Sequence, residues 1–230
     1  MSKKLIVNGD DFGSDKDRTD AIIFAHKYGL LSSTTVMTEG HAFDYAAKII
    51  KENPNLKTGL HIGLDQIFLM DVPKGFFKRL VKVTPYMKEQ IKVAINKQLD
   101  KFLKAGFTLS HFDSHHHAHM HPEVFPIVAK KAKELNVPVR FCRKYYCGRS
   151  YRWIEQEILI PILKELDLRY PQAFSNQFIL TDDYEVGEVM LHPSFLDKSG
   201  ASELAKCVSP DLKNQIKENN IEIISFADLK

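Results

Sequence analysis

The chain has 230 residues, of which 44% are hydrophobic and 27% are charged, and its formal net charge is +3. This composition is typical of a globular protein with a substantial buried core. The length suits a single α/β barrel, which commonly reaches ~200 residues without dividing into domains. Because the net charge is small and the lysines are spread along the chain, the composition argues against a nucleic-acid partner.

The amino-terminal segment and the cysteines both predict a cytoplasmic protein. Leu5–Val7 is a short apolar run, too short for the core of a signal peptide. The sequence has no stretch of ~18 apolar residues, so we expect no membrane-spanning helix and no membrane partner. Cys142, Cys147 and Cys207 are odd in number and not closely paired, which favours free thiols in a reducing compartment.

Strand and helix patterns alternate along the whole chain. A predicted strand at Lys4–Asn8, a helix through Ile22–His26 and a strand at Leu31–Met37 form a first β-α-β unit. The remaining predicted elements are, in chain order, a helix at Ala42–Glu52, a strand at Thr58–Leu64, a helix at Tyr86–Lys104, a strand with a histidine cluster, a helix at Glu123–Leu135, a strand at Val137–Cys142, a helix at Trp153–Leu166, strands at Phe174–Ile179 and Val186–Leu191, a helix at Asp211–Glu218 and a strand at Ile221–Phe226.

This alternation predicts the fold class. Strands that alternate with amphipathic helices form parallel sheets. Roughly seven or eight such units predict a closed or nearly closed α/β barrel, with residues 1–230 in one domain, and a doubly wound open sheet is the alternative. The interval Asp65–Pro85 is long for a connection, so we expect it to be an active-site lid.

Six of the ten histidines lie between His111 and His121. Imidazole nitrogens and carboxylate oxygens suit zinc, manganese, iron or magnesium, and the lack of a thiolate near the cluster favours a catalytic metal over a structural zinc site. The alternative is a polar surface loop or an adventitious metal-binding tract. If the segment is extended, alternation would place five side chains on one face: Asp113, His115, His117, His119 and His121.

Further polar residues fall at the ends of other predicted strands. Asp10 and Asp11 follow the first strand, His61 lies in an apolar strand, and His192 ends another. Taken singly, an aspartate here is often a helix cap and a lone histidine is often a core residue. Together they lie at the carboxyl ends of strands, where barrel enzymes assemble their sites. One aspartate could bind a metal ion, and His192 could donate a proton.

These motifs resemble the YdjC-like carbohydrate deacetylases, a family that includes the chitooligosaccharide (N,N'-diacetylchitobiose) deacetylases. The resemblance implies a deformed (β/α) barrel of mostly parallel strands. The matching segments run in order through nearly the whole chain: Leu5–Gly13, Ser33–Thr35, Gly59–His61, His111–Met120 and Val189–Pro193.

The resemblance also implies a metal site. In this chain the ligands of one divalent ion would be Asp11, His61 and His115. The family's ion is usually described as magnesium, and the nitrogen-rich ligand set leaves zinc as an alternative.

The proton-transfer roles follow from the same resemblance. Asp10 would be the general base and His192 the general acid. Three other residues would support these groups or contact the substrate: Asp113, His117 and Arg140.

The expected activity is metal-dependent N-deacetylation of a small carbohydrate, such as diacetylchitobiose or its 6-phosphate, by a cytoplasmic enzyme that could form a homodimer. A metal-dependent phosphoesterase remains an alternative because His117 and His119 could hold a second ion. A non-catalytic metal- or sugar-binding protein is the other alternative. The chain departs from the family pattern in two places: it is shorter between Phe178 and Val186, and Gln66–Lys82 matches no family motif.

Overall fold

The computed structural model describes residues 3–68, 82–142, 153–178 and 184–229. These residues form a single α/β domain in which parallel strands make a curled, half-barrel sheet surrounded by helices. The predicted deformed barrel is confirmed.

The described residues include seven strands and eight α-helices. The strands are β1 Lys3–Phe12, β2 Ser33–Val36, β3 Lys57–Ile62, β4 Leu109–Ser114, β5 Ala173–Ser175, β6 Val186–Leu191 and β7 Ile221–Ile224. The helices are α1 Lys16–Tyr28, α2 Phe43–Ile49, α3 Asp65–Phe68, α4 Pro85–Lys104, α5 Phe125–Glu134, α6 Ile160–Glu165, α7 Lys198–Val208 and α8 Pro210–Glu218. Shorter helical turns are Ile50–Glu52, His115–Met120, Glu155–Leu159 and Phe226–Asp228.

The ten-residue strand β1 lies at the centre of the sheet. Its residues 4–9 pair with β6, residues 3–6 with β7 and residues 8–12 with β2, all in parallel. The sheet order is β4-β3-β2-β1-β6-β5, with β7 beside β1. Every residue of β2 and β6 is buried, as expected for parallel strands covered by helices. The carboxyl ends of β1, β3, β4 and β6 therefore open on one edge of the sheet.

The predicted strand at Val137–Cys142 is wrong, because this segment forms only one parallel bridge, between Val139 and Phe112. The Phe112 N–H donates to the Pro138 carbonyl at 3.1 Å, and the Arg140 N–H donates to the Phe112 carbonyl at 2.9 Å. Pro138 has no N–H to extend the ladder. The segment nevertheless lies beside β4 at one end of the sheet, and its Arg140 is fully buried.

The helices match the predictions closely in some places and not in others. Helix α4 spans Pro85–Lys104, one residue longer than predicted. The predicted helix at Trp153–Leu166 contains a π-helical turn, Glu155–Leu159, before α6. Helix α7 was not predicted, although its N-cap residue Asp197 accepts a hydrogen bond from the Gly200 N–H at 2.7 Å.

Some predictions fall partly or wholly outside the described residues. They concern residues 69–81 of the expected lid, residues 179–183 of the expected shortening, and Cys147. Cys142 and Cys207 are both buried free thiols. Within the described ranges, no helix combines the length and apolar character needed to cross a membrane.

Candidate active site

A buried ionic cluster lies beneath the carboxyl edge of the sheet. The Arg140 guanidinium donates to both oxygens of Asp10, from Nη1 to Oδ2 at 2.7 Å and from Nη2 to Oδ1 at 2.6 Å. Its Nε donates to Glu188 Oε1 at 2.8 Å, and Nη1 lies 2.6 Å from Asp113 Oδ2. All four residues are at most 1% exposed. We call Arg140, Asp10, Asp113 and Glu188 the arginine cluster.

The arginine cluster contains three carboxyl groups and one guanidinium, and this imbalance sets their ionisation. Burial favours the neutral form of Asp10, but the Arg140 charge and hydrogen bonds outweigh burial and hold the Asp10 pKa well below its usual range. The pKa of Asp113 is lowered in the same way, by Arg140 and then His61 acting against burial. Burial dominates at Glu188 and raises its pKa to about 7. Glu188 is therefore the carboxyl of the cluster that most readily holds a proton.

Asp11 and His61 face each other above the arginine cluster. His61 is paired in register with Asp113 on β4, and its Nδ1 lies 2.7 Å from Asp113 Oδ1. This contact turns His61 Nε2 toward Asp11, whose Oδ1 is 3.3 Å away. Asp11 Oδ1 is buried and makes no hydrogen bond among the described residues. A nitrogen and an oxygen so placed, with a carboxylate behind the imidazole, are the donors that a divalent ion requires.

The local backbone explains how the adjacent residues Asp10 and Asp11 can both reach the site. Asp11 has a φ of 68°, and the pairing of β1 with β2 shifts register between Gly9 and Phe12. A left-handed residue within a strand breaks the alternation of side chains. Regular alternation would turn Asp11 to the face opposite Asp10. The left-handed conformation instead lets Asp11 meet His61 next to the arginine cluster that holds Asp10.

The charges around Asp11 and His61 stabilise their ionised forms. Burial raises the Asp11 pKa, but His61 and, more weakly, His192 outweigh burial and lower it to about 2. Burial lowers the pKa of His61, yet Asp113, Asp11 and Asp10 together raise it well above its ordinary value.

His115 lies beside this pair. Its ring centroid is 5.9 Å from that of His61. Its Nδ1 lies 2.7 Å from Asp65 Oδ2. The side chain is partly exposed, at 28%. The structure therefore places His115 near Asp11 and His61. The ligand atoms that lie within 4.8 Å of one another are, however, those of His115, Asp65 and His116 and, separately, those of His61, Asp10 and Asp113.

The expected common face of histidines is wrong beyond Asp113. Strand β4 ends at Ser114, and His116 and His117 have left-handed φ values of 52° and 53°. The chain therefore turns instead of continuing as a strand, and alternation no longer applies. Non-glycine residues in this conformation are uncommon and are often found at functional sites.

His117 and His119 turn toward the interior of the barrel. His117 Nδ1 is 3.4 Å from Cys142 Sγ, and burial holds its pKa well below the usual value. His119 Nδ1 contacts Ser114 Oγ at 2.7 Å and its Nε2 contacts the Arg140 carbonyl at 3.1 Å. Burial lowers the His119 pKa to about 4. His119 is therefore a neutral residue that fixes the turn.

His192 follows β6, and its backbone is held from both sides. Its N–H donates to Glu203 Oε2 at 2.6 Å, and its carbonyl accepts from Arg18 Nη1 at 3.4 Å. Glu203 belongs to α7 and Arg18 to α1. The His192 side chain is partly exposed. Two helices thus place one imidazole at the edge of the site.

The sequence predictions missed four residues that support the site: Asn8, Asp65, Glu188 and Glu203. Asn8 Nδ2 donates to Asp10 Oδ1 at 2.8 Å. Asn8 follows the apolar run Leu5–Val7 within the buried part of β1, and Glu188 interrupts the otherwise apolar, fully buried β6. A polar residue inside a fully buried strand requires a partner, and this pattern could have revealed both.

Comparisons with known proteins agree over nearly the whole chain. The sequence model of the family described as YdjC-like protein matches residues 4–218. A carbohydrate deacetylase from Brevibacillus brevis is 34% identical, with 98% of this chain and 99% of the relative covered. A carbohydrate deacetylase from Clostridium beijerinckii is 32% identical, with 98% and 100% covered. The alignment with the first relative extends over 263 positions, more than the 230 residues of this chain, so that relative contains segments that this chain lacks.

Solved structures show the same fold. A protein from Enterococcus faecalis, provisionally described as a cellobiose-phosphate cleavage protein, has a TM-score of 0.78 and 24% identity, with 98% of each chain covered. A lactam utilization protein from Thermus thermophilus has a TM-score of 0.58 and 15% identity, with 96% of this chain and 99% of that chain covered. At these identities the likeness establishes the fold alone.

Proposed function

Because the chain belongs to the YdjC-like protein family, a family of carbohydrate deacetylases, we propose that it hydrolyses the N-acetyl amide of an amino sugar with the help of a divalent metal ion. The observation that best supports this proposal is the pair formed by Asp11 Oδ1 and His61 Nε2, which are 3.3 Å apart at the carboxyl edge of the sheet. The ionised Asp10 lies next to this pair.

The metal ligands in this proposal are Asp11, His61 and His115. One carboxylate and two imidazoles are suitable donors for the ion. Asp11 Oδ1 is buried and makes no hydrogen bond among the described residues, and its near neighbour is His61 Nε2 at 3.3 Å. The family resemblance favours Mg²⁺, while two nitrogen donors also suit Zn²⁺. When bound, such an ion would act as a Lewis acid on the acetyl carbonyl.

Asp10 is the proposed general base. Its Oδ2 accepts a hydrogen bond from Arg140 Nη1, and a carboxylate oxygen has a second lone pair with which it can accept a proton from water. Arg140 keeps this carboxylate ionised and fixes its orientation. The low pKa makes Asp10 a weak base, so its contribution comes from placement beside the attacking water.

His192 is the proposed general acid. The amine of an amide is a poor leaving group unless its nitrogen is protonated as the bond breaks. Glu203 and Arg18 hold the His192 backbone, and the partly exposed imidazole can reach a substrate that enters from solvent. His192 would donate its proton to the departing sugar nitrogen.

Three further residues have supporting roles in this proposal. Asp113 orients His61 through the 2.7 Å contact, and Arg140 orients Asp10. His117 packs edge-on against Phe174, with ring centroids 5.5 Å apart. It would form part of the wall beside the sugar.

The proposed substrate is a chitooligosaccharide such as diacetylchitobiose or its 6-phosphate. The similar protein from E. faecalis is described in terms of a phosphorylated disaccharide, which supports testing phosphorylated sugars. A second candidate function, a phosphoesterase, is suggested by two separate groups of possible ligands: Asp65, His115 and His116, and Asp10, His61 and Asp113. Asp65 and His115 are hydrogen-bonded to each other, however, which favours one ion over two.

Acetate release tests the proposal directly. The purified protein is treated with a chelator, supplied again with Mg²⁺ or Zn²⁺, and incubated with N-acetylated mono- and disaccharides, with and without a 6-phosphate. We expect equal amounts of acetate and free amine, formed only with metal. Asp10→Asn should abolish most of the release, whereas Asp44→Asn, which changes an exposed aspartate on α2, should not.

Two results would contradict the proposal. Release of inorganic phosphate without acetate would support the phosphoesterase. Failure to release acetate from every sugar, despite tight metal binding, would support a non-catalytic binding protein.

A further inference from the structure

The two histidines proposed as metal ligands share one arrangement. His61 Nδ1 lies 2.7 Å from Asp113 Oδ1, and His115 Nδ1 lies 2.7 Å from Asp65 Oδ2. The two rings have centroids 5.9 Å apart. Each imidazole thus has a carboxylate on its Nδ1 side and presents its Nε2 on the other side.

The pairs His61–Asp113 and His115–Asp65 both connect the end of β3 with the end of β4. Strand β3 provides His61, and Asp65 begins α3 four residues later in the chain. Strand β4 provides Asp113, and His115 follows it two residues later. Each strand end therefore contributes one histidine and one carboxylate, and each carboxylate binds the histidine of the other strand.

A carboxylate on the Nδ1 side of an imidazole prepares the ring to bind a metal ion through Nε2. A carboxylate that accepts the Nδ1–H fixes the tautomer in which Nε2 has a free lone pair. It also fixes the rotation of the ring and makes Nε2 a better metal donor. Asp113 is 0% exposed and is held by Arg140 as well, whereas the Asp65 side chain is 34% exposed. Asp65 belongs to a connection outside the sheet, and no sequence motif pointed to it.

We infer that Asp65 is a positioning residue, which holds His115 by its Nδ1 so that His115 Nε2 faces the ion bound by Asp11 and His61. This inference rests on the proposed metal site but not on the identity of the sugar. His116 stacks on His115, with ring centroids 3.8 Å apart, and its Nε2 lies 4.0 Å from Asp65 Oδ1.

Metal titration in the absence of substrate tests this role. Binding of Mn²⁺ or Co²⁺ to the chelator-treated protein is measured by calorimetry for the wild type, Asp65→Ala and Asp65→Asn. Loss of a carboxylate behind a metal-binding histidine typically weakens metal affinity by ~10- to 100-fold. We expect that weakening for Asp65→Ala and a smaller one for Asp65→Asn, because the amide oxygen still accepts from Nδ1–H. Asp44→Ala, the matched exposed control, should bind as the wild type does.

A double-mutant cycle separates positioning from direct ligation. If Asp65 acts through His115, then His115→Ala and the double variant His115→Ala/Asp65→Ala should bind the ion with equal affinity. A further loss in the double variant would show that Asp65 acts independently of His115, and would overturn the inference. Unchanged affinity in Asp65→Ala, or a wild type that binds neither ion, would overturn it as well. Melting temperatures of all variants identify any loss that comes from unfolding.

Failure of the inference about Asp65 can be told apart from failure of the proposed deacetylase function. If Asp65→Ala weakens metal binding and the wild type releases no acetate from any sugar, the inference holds and the deacetylase proposal fails. If the wild type is an active deacetylase and Asp65→Ala binds metal normally, the inference alone fails.

Discussion

The arginine cluster and the histidines above it are in contact but are held in place differently. Asp10, Asp113 and Glu188 are bound directly to one buried guanidinium and are almost completely excluded from solvent. His115 and Asp65 lie in connections after the strands and are about one-third exposed. We call the arginine cluster the floor of the site, because its three carboxyl groups are held by one buried guanidinium, whereas the residues above it have atoms that can bind a ligand.

This difference separates two kinds of mutational effect. A buried charge that loses its partner destabilises the fold, because neither water nor another charge replaces it. A half-exposed side chain that is removed leaves water in its place, so the fold survives and only the chemistry changes. Substitutions in the floor should therefore change stability and activity together, whereas substitutions of the partly exposed His115 and Asp65 should change activity with little effect on stability.

Arg140→Met should have the largest effect. It leaves three buried carboxyl groups without their counter-charge, and breaking a buried ion pair of this kind costs about 3–5 kcal/mol of unfolding free energy. Urea denaturation of the metal-free protein measures the loss. Arg140→Lys, which keeps the charge but not the forked geometry, should lose less. Lys104→Met, at a side chain that is 81% exposed, is the control.

The pH dependence of that loss sharpens the prediction. Without Arg140, the pKa values of Asp10 and Asp113 should rise, so both groups become neutral more easily in acid. The difference in unfolding free energy between the wild type and Arg140→Met should therefore become smaller as the pH falls from about 8 to about 5. A loss below about 1 kcal/mol at pH 8 would show that the cluster is not the stabilising floor described above.

His192→Ala should reduce turnover and leave the fold and the metal affinity intact. A well-placed general acid contributes ~10²- to 10⁴-fold in rate. The loss should appear with N-acetyl sugars and be much smaller with an activated aryl acetate, whose leaving group departs without protonation. Both rates, together with metal affinity from calorimetry, check this prediction.

Asp10→Asn provides the contrast, since a base is needed for both kinds of substrate. It should impair amide and aryl ester hydrolysis alike, and it should also lower stability because Asp10 belongs to the floor. If His192→Ala loses metal, or loses both activities equally, His192 is a ligand or a structural residue and not the acid.

The fold could be predicted because its periodicity is strong. Strand β6 was predicted at Val186–Leu191 and has those bounds, and the ends of α4 differ by one residue. Helix α7 was missed because its glycine and serines dilute the apolar pattern, leaving Leu204 and Cys207 as the main buried apolar side chains. Asp197 at its N-cap was the available signal.

The site was only partly predictable. Parallel strands bring their carboxyl ends together, so the proximity of Asp11, His61 and Asp113 followed from their positions in the sequence. The contact between Asp65 and His115 did not follow from their positions in the sequence. It depends on the conformations of the connections that follow β3 and β4. The left-handed His116 and His117 were also unpredictable, since only a few per cent of non-glycine residues adopt this conformation and the sequence does not mark which ones do. The catalytic roles stay predictions.

Glu188→Gln should have the smallest effect on stability. The way this effect changes with pH tests whether the three carboxyl groups of the arginine cluster exceed the charge of its one guanidinium. Burial raises the Glu188 pKa to about 7 from an ordinary 4.5. Between these values the folded protein retains a proton that the unfolded chain releases, so this group lowers the stability of the wild type as the pH rises. Glutamine cannot ionise but can still accept from Arg140 Nε. The stability of Glu188→Gln relative to the wild type should therefore increase from about pH 5 to pH 8, by at most about 3 kcal/mol. Urea denaturation of the chelator-treated proteins across this range measures the difference, and a difference independent of pH would mean that Arg140 keeps Glu188 ionised like its two neighbours.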